Sequence, residues 1–234
     1  MKKTLCIILA ALMLLCFVSC KNDEIVDDGN NDNEIDNTFE IGNENFEYEI
    51  TELNTVRITG YSGSYDIHAV TVPGDIGGIV VTEIGDNAFY YANNISAITL
   101  PDSVTSIGNW AFAGCTYLTG VSIPDSVTSI GVGAFYKCVA LKDQKLPASL
   151  TELSEYTFRD CTALTAIEIP AAVTLIGDSA FWGCTALKSV NGMTGVKEIG
   201  AYTFNGCTAL ASIATTAVET IGEHAFNECT ALNK

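Results

Sequence analysis

The feature that most constrains this chain is a repeat in which two apolar positions recur in step. An aliphatic residue stands at Ile84, Ile107, Ile130, Leu153, Ile176, Ile199 and Ile221, spaced 23 residues apart five times and then 22. Phe89, Phe112, Phe135, Phe158, Phe181, Phe204 and Phe226 keep the same register. One whole unit, Asp102 to Pro124, reads Asp-Ser-Val-Thr-Ser-Ile-Gly-x-x-Ala-Phe-x-x-Cys-Thr-x-Leu-x-x-Val-x-Ile-Pro. A unit this short cannot bury its own apolar face, so each must stack on the next and share a continuous core, which is a solenoid.

Within a unit, Leu118-x-x-Val121-x-Ile123 ends in the alternation of a short strand, and Pro124 closes it. One strand per coil makes a parallel sheet. Val104 to Ile107 reads as a second short extended segment, and Gly108 with Asn109 to Cys115 as a tight turn followed by a helical or 3₁₀ turn.

These residues resemble a known family. Leu118-x-x-Val121-x-Ile123 is similar to the strand segment of leucine-rich repeats, and the unit with Ile-Gly-x-x-Ala-Phe-x-x-Cys resembles the bacterial BspA-like subclass (type 5), over roughly Ile79 to Lys234. The resemblance implies a leucine-rich-repeat solenoid with a parallel β-sheet and short helical or 3₁₀ turns, and a surface protein used in adhesion and host contact. Three departures stand out. Ser126, Ser149 and Ala172 replace the asparagine or cysteine that follows the strand in the general repeat. Gln144 occupies an aliphatic position, and the strand after Leu187 lacks its closing Ile-Pro.

The flanks have a different character. Lys2 and Lys3, the apolar run Leu5 to Val18 and Ser19 before Cys20 form the three regions of an export signal over residues 1–19. Phe17-Val18-Ser19-Cys20 resembles the lipobox of bacterial lipoproteins, which implies lipidation of Cys20; Phe17 departs from the usual leucine, and ordinary secretion is the alternative. Residues 20–38 are polar and acidic, with Asp27, Asp28, Asp32, Glu34 and Asp36, and read as a solvated tether. An acidic cluster behind a lipidated cysteine is similar to the surface-export signal of some Gram-negative lipoproteins, which implies an outer-membrane, surface-exposed location. Residues 39–78 read as a degenerate first coil that caps the stack, with strands at Phe46–Ile50, Val56–Ile58 and Ile67–Val72. Ala231 to Lys234 falls where a further strand is expected, so the last repeat reads as incomplete.

Charge and composition narrow the function. Against 28 acidic residues stand 11 basic ones, a net charge of −17, which repels nucleic acid and anionic headgroups. The membrane is therefore expected to be reached only through the N-terminal lipid. His68 and His224 are the only histidines, so the commonest acid–base and metal-binding side chain is scarce. Cys115, Cys138, Cys161, Cys184, Cys207 and Cys229 form a ladder, one per coil. Stacked coils hold equivalent Cβ vectors parallel, which disfavours the near-right-angle torsion of a disulfide, and a linear ladder offers no tetrahedral cluster. Buried, reduced thiols with no metal are expected.

The outward positions of the strand face are Thr119, Gly120 and Ser122, then Lys142, Asp143 and Lys145, then Thr165, Ala166 and Glu168. No acid pair, nucleophile with base or phosphate-cradling loop converges there, so neither catalysis nor a cofactor is expected. Asp102-Ser103-Val104, Asp125-Ser126-Val127 and Asp178-Ser179-Ala180 resemble an O-glycosylation sequon of exported proteins, although the repeat consensus explains the first two. The positions flanking the repeated phenylalanine are richer. Two residues before it stand Asn87, Trp110, Gly133, Tyr156, Ser179, Tyr202 and His224; just after it stand Tyr90, Ala113, Tyr136, Arg159, Trp182, Asn205 and Asn227. On a helical turn the two tracks share a side, which predicts an aromatic stripe of Trp110, Tyr136, Tyr156, Trp182 and Tyr202. The stripe either covers the coil edge or binds a ligand. The expected function is a cell-surface lipoprotein that presents its solenoid to an extracellular or host protein; the alternative is glycan capture on the aromatic stripe.

Overall fold

The computed structural model describes residues 37–232 apart from 42, 43 and 64. The export signal, Cys20 and nearly all of the acidic tether lie outside the described residues.

The strands, in order, are β1 (Thr38–Ile41), β2 (Glu44–Ile50), β3 (Val56–Ser62), β4 (His68–Thr71), β5 (Asp75–Ile76), β6 (Ile79–Ile84), β7 (Ile95–Thr99), β8 (Ser106–Ile107) and β9 (Gly120–Ser122). They continue as β10 (Ser129–Ile130), β11 (Glu152–Leu153), β12 (Ala166–Glu168), β13 (Leu175–Ile176), β14 (Ser189–Asn191), β15 (Glu198–Ile199), β16 (Ser212–Ile213) and β17 (Thr220–Ile221). The coils contribute one strand to each of two parallel ladders, except that the coil carrying Gln144 gives the second ladder only a single bridge, Asp143 to Ala166. One ladder runs β3-β6-β8-β10 and then β11-β13-β15-β17; the other runs β4-β7-β9 and then β12-β14-β16. The second extended segment expected at Val104–Ile107 is present as β8, shorter by its first two residues.

The core is a column of identical side chains. The rings of Phe89, Phe112, Phe135, Phe158, Phe181, Phe204 and Phe226 stack in sequence, with neighbouring centroids between 5.2 and 5.5 Å apart. Six of the seven are at most 1% exposed, and only Phe226, in the last described coil, is partly open. Val104, Val127, Leu150, Val173 and Val196, and six of the seven repeated aliphatics, complete the interior; Ile221, in the last described coil, is 53% exposed. At the N-terminus the column passes through Tyr61 to Phe46, with centroid spacings of 5.1 and 5.5 Å. There β1, β2 and β3 form an antiparallel meander, and only β3 then joins the parallel ladder. An antiparallel hairpin thus precedes a first coil whose β3 and β4 enter the two parallel ladders.

Glycine after the aliphatic is required because the coils touch there. A Cβ on Gly108, Gly131, Gly177, Gly200 or Gly222 would lie 2.4 to 2.7 Å from a backbone nitrogen of the preceding coil. The equivalent position in the fourth register is Ser154, and between β10 and β11 the ladder is interrupted. Its hydroxyl donates to Ile130 O at 2.7 Å, taking over the bond that the Gly131 N–H makes to Ile107 O. The second ladder is interrupted in the same coil, between β9 and the segment around Gln144. Gln144 is buried, and its carboxamide stands in for a peptide group: Oε1 accepts from the Val121 N–H at 3.0 Å and Nε2 donates to Val121 O at 2.8 Å. The polar residue at an aliphatic position is thus fully bonded rather than misplaced.

The serines that follow the strand tie neighbouring coils together. Ser103 Oγ donates to Val81 O at 2.7 Å and Ser126 Oγ to Val104 O at 2.6 Å, each tying its coil to the one before. Both sequon-like hydroxyls are thus engaged, and Ser179 is buried.

Candidate functional site

The corner carrying the phenylalanines differs from the expected helical turn. Among the described residues no helix is present, and the corner is a ribbon of hydrogen-bonded turns. Alternate N–H groups bond within the coil, as Ala113 N to Trp110 O, or to the next coil, as Trp110 N to Val132 O and Phe112 N to Ala134 O. Residues four apart are left-handed: Trp110 (φ 55°) and Gly114 (φ 74°), Tyr156 (φ 58°) and Asp160 (φ 60°), Tyr202 (φ 57°) and Gly206 (φ 73°). That conformation costs about 1–2 kcal/mol per non-glycine residue and stops a helix from propagating. The bonds between coils, repeated at every register, offset it.

The thiol ladder lies at the end of this ribbon. Each cysteine Sγ donates to the phenylalanine carbonyl of the preceding coil, Cys115 to Phe89 at 3.0 Å, Cys161 to Phe135 at 3.1 Å and Cys207 to Phe181 at 3.2 Å among them. All six are free, five are buried and Cys229 is half-buried. Burial raises their pKa values, Cys115 to about 12, because it strips the thiolate of the solvation it would have on the surface. These are structural donors rather than nucleophiles.

The five stripe residues meet on one side, all half-buried. Gly133 is the reason that Trp110 reaches across: its ring lies over the glycine, with Cε3 2.4 Å from where a Cβ would stand, and stacks on Tyr156 two coils away at 6.3 Å. Tyr136 meets Trp110 edge-on at 5.4 Å. Trp182 stacks on Tyr202 at 5.5 Å, and Tyr202 meets His224 at 5.2 Å. The two halves are joined by Arg159, whose guanidinium carbon lies 5.6 Å from the Tyr156 ring and 4.2 Å from the Trp182 ring. The stripe is therefore one continuous ridge. Arg159 belongs to the same sequence track, but selecting only aromatics leaves it out; a cation between two aromatic registers is the signal that would have found it.

The strand face bears the expected residues, with Thr119, Ser122, Lys142, Asp143, Lys145 and Glu168 exposed and Gly120, Thr165 and Ala166 half-buried. A shallow groove of about 660 Å³ runs along the other ladder past Glu49, Arg57, Glu83, Asp86, Asn109 and Glu152. Arg57 there is engaged by Glu49 and Glu83 at 2.5 and 2.6 Å. Among the described residues no group of three or more His, Cys, Asp or Glu side chains is placed to hold a metal ion.

Two parallel ladders, one coil per 22–23 residues and a buried column of equivalent side chains define a leucine-rich-repeat solenoid. The profile of the BspA type leucine rich repeat region matches residues 82–211 and 199–234 in six copies, and the chain belongs to that family. A leucine-rich repeat protein from T. pallidum superposes with a TM-score of 0.76 at 35% identity, over 81% of this chain and 88% of that one. A leucine-rich cell surface protein from Faecalibacterium prausnitzii A2-165 superposes with a TM-score of 0.68 at 31% identity, over 84% of this chain and 53% of that one, so this chain spans about half its length. No curated protein matches the chain.

Proposed function

We propose that this chain is a non-enzymatic binding protein of the cell surface, anchored through a lipid on Cys20 and presenting its solenoid to an extracellular or host protein in adhesion. The observation that carries this reading is the ridge from Tyr136 and Trp110 through Arg159 to Tyr202: tryptophan, tyrosine and arginine, half-buried and held in fixed positions, are the residue types that dominate protein interfaces. Rigid side chains lose little entropy on binding.

The ridge favours a protein over a glycan. Sugar rings stack on exposed aromatic faces, but Trp182 lies between Arg159 and Tyr202, and Tyr202 between Trp182 and His224. The faces of these two rings are thus taken up by neighbours within the ridge. The test is binding of the purified chain to a panel of extracellular-matrix proteins and glycans, alongside a Trp110→Ala/Trp182→Ala variant. Saturable protein binding that weakens in the variant supports the reading; selective sugar binding, or silence across the panel, rejects it. Growth with labelled palmitate tests the anchor, and a Cys20→Ala chain that still carries label refutes it.

A further inference from the structure

Basic residues are unevenly placed on this acidic solenoid. Of the seven lysines and arginines among the described residues, five (Lys137, Lys142, Lys145, Arg159 and Lys188) fall between positions 137 and 188. Two of these are neighbours on the ridge: the Lys137 N–H donates to Arg159 O at 2.8 Å, and the Lys137 ammonium lies 5.1 Å from the Tyr136 ring. Arg159 is held in place by aromatic faces rather than by acceptors. Among the described residues its guanidinium makes no hydrogen bond; its Nε is buried without a partner, and the nearest carboxylate oxygen is Asp160 Oδ2 at 3.7 Å. Asp160 itself leans towards Gly183 on the next coil, its Oδ1 2.4 Å from where a Cβ there would stand. Asp160 therefore stands beside Arg159 without hydrogen-bonding it, and the terminal N–H groups of the planar fork have no acceptor among the described residues.

We propose that Arg159 and Lys137 form the docking notch for an acidic segment of a partner protein, with a partner carboxylate taking two parallel N–H bonds from Arg159 and a second meeting Lys137. This rests on the reading of the ridge as a protein-binding surface and specifies what that surface recognises. Three features favour it. The guanidinium is clamped between Tyr156 and Trp182, so little rotamer entropy is lost when a carboxylate arrives. Bidentate arginine–carboxylate pairing is the strong, geometrically selective form of this bond. The Arg159 side chain is 28% exposed, so an incoming carboxylate can reach it.

The test is fluorescence anisotropy of a fluorescein-labelled octaglutamate peptide with the full chain at low salt, with octaserine and octalysine as controls. Octaglutamate is expected to bind saturably, to weaken as salt is raised and to lose about tenfold or more in affinity in Arg159→Gln. Arg159→Lys, which keeps the charge but not the fork, is expected to lose severalfold. Lys197→Gln, whose ammonium is paired with Glu219 at 2.9 Å, is expected to bind as the parent does. Lys137→Gln alters an exposed side chain and keeps the proposal open to refutation if Arg159→Gln fails to fold. Absence of octaglutamate binding, equal binding by Arg159→Gln and Lys137→Gln, or binding of dextran sulfate in its place would overturn the proposal. Panel proteins that bind Arg159→Gln unchanged would sink this notch while leaving the broader reading intact; octaglutamate binding with no panel partner would do the reverse.

Discussion

Removing one ring from the phenylalanine column should cost most where the ring has a neighbour on each side. Phe158 is fully buried, with Phe135 at 5.2 Å on one face and Phe181 at 5.5 Å on the other. Phe158→Ala therefore leaves a cavity inside a continuous stack and removes two ring pairs, for an expected loss of about 3–5 kcal/mol. Phe226 is partly exposed and pairs within the column only with Phe204, at 5.4 Å. Its truncation should cost about 1–2 kcal/mol, because only part of a phenylalanine's transfer energy and one pair are lost. Guanidinium unfolding followed by far-UV circular dichroism reads both. In a stacked-repeat protein a mid-column defect also weakens coupling between the coils on either side, so Phe158→Ala should broaden the transition as well as shift it. Equal shifts for the two variants, or an unchanged midpoint for Phe158→Ala, would refute the column as the source of stability.

Restoring the repeat's aliphatic at position 144 should destabilise: Gln144→Leu strips the partner from both the N–H and the C=O of buried Val121, at about 2–4 kcal/mol for the two groups, measured by chemical denaturation. Gly177→Ala places a Cβ 2.7 Å from Glu155 N and 2.9 Å from Ser154 C, so the coils must part, at about 1–3 kcal/mol, whereas Gly74→Ala meets only Pro101 Cβ at 3.9 Å and should leave the midpoint within error. The native thiols should resist a disulfide reagent at pH 8, with half-buried Cys229 reacting first and the five buried ones only on unfolding. Because burial raises these pKa values, the unfolded chain loses its thiol protons first as pH rises. Stability tied to the neutral thiols is complete below pH about 9 and declines towards pH 12, and the decline should be shallower in Cys115→Ala.

How much was legible follows the period of the signal. A spacing of 22–23 residues, carried by seven phenylalanines and seven aliphatics, determined the solenoid, the buried column, the two strand segments per coil and the inward thiols, because each rests on one side chain repeating against its own copy. The side to which Trp110, Tyr136, Tyr156, Trp182 and Tyr202 project was also legible, although for a helical reason that the structure replaces with a ribbon of turns holding two left-handed residues per coil. Propensity could not reveal that ribbon. Tryptophan and tyrosine are poor left-handed residues in isolation, and it is the N–H groups claimed by the next coil that hold them there.

Features that depend on an exception between neighbouring coils were decided by tertiary structure. Gln144 reads as an error until its carboxamide is seen to complete a ladder, and Ser154 as a harmless replacement until the coils prove too close for a Cβ. Gly133 reads as a gap, yet it is what lets Trp110 span two coils to Tyr156. Arg159 falls outside an aromatic pattern, yet it joins the two halves of the ridge. The physical reason is the same in each case: a periodic sequence specifies what a position meets when every coil is alike, and only the packing of the stacked coils decides what fills the space when one coil differs from the next.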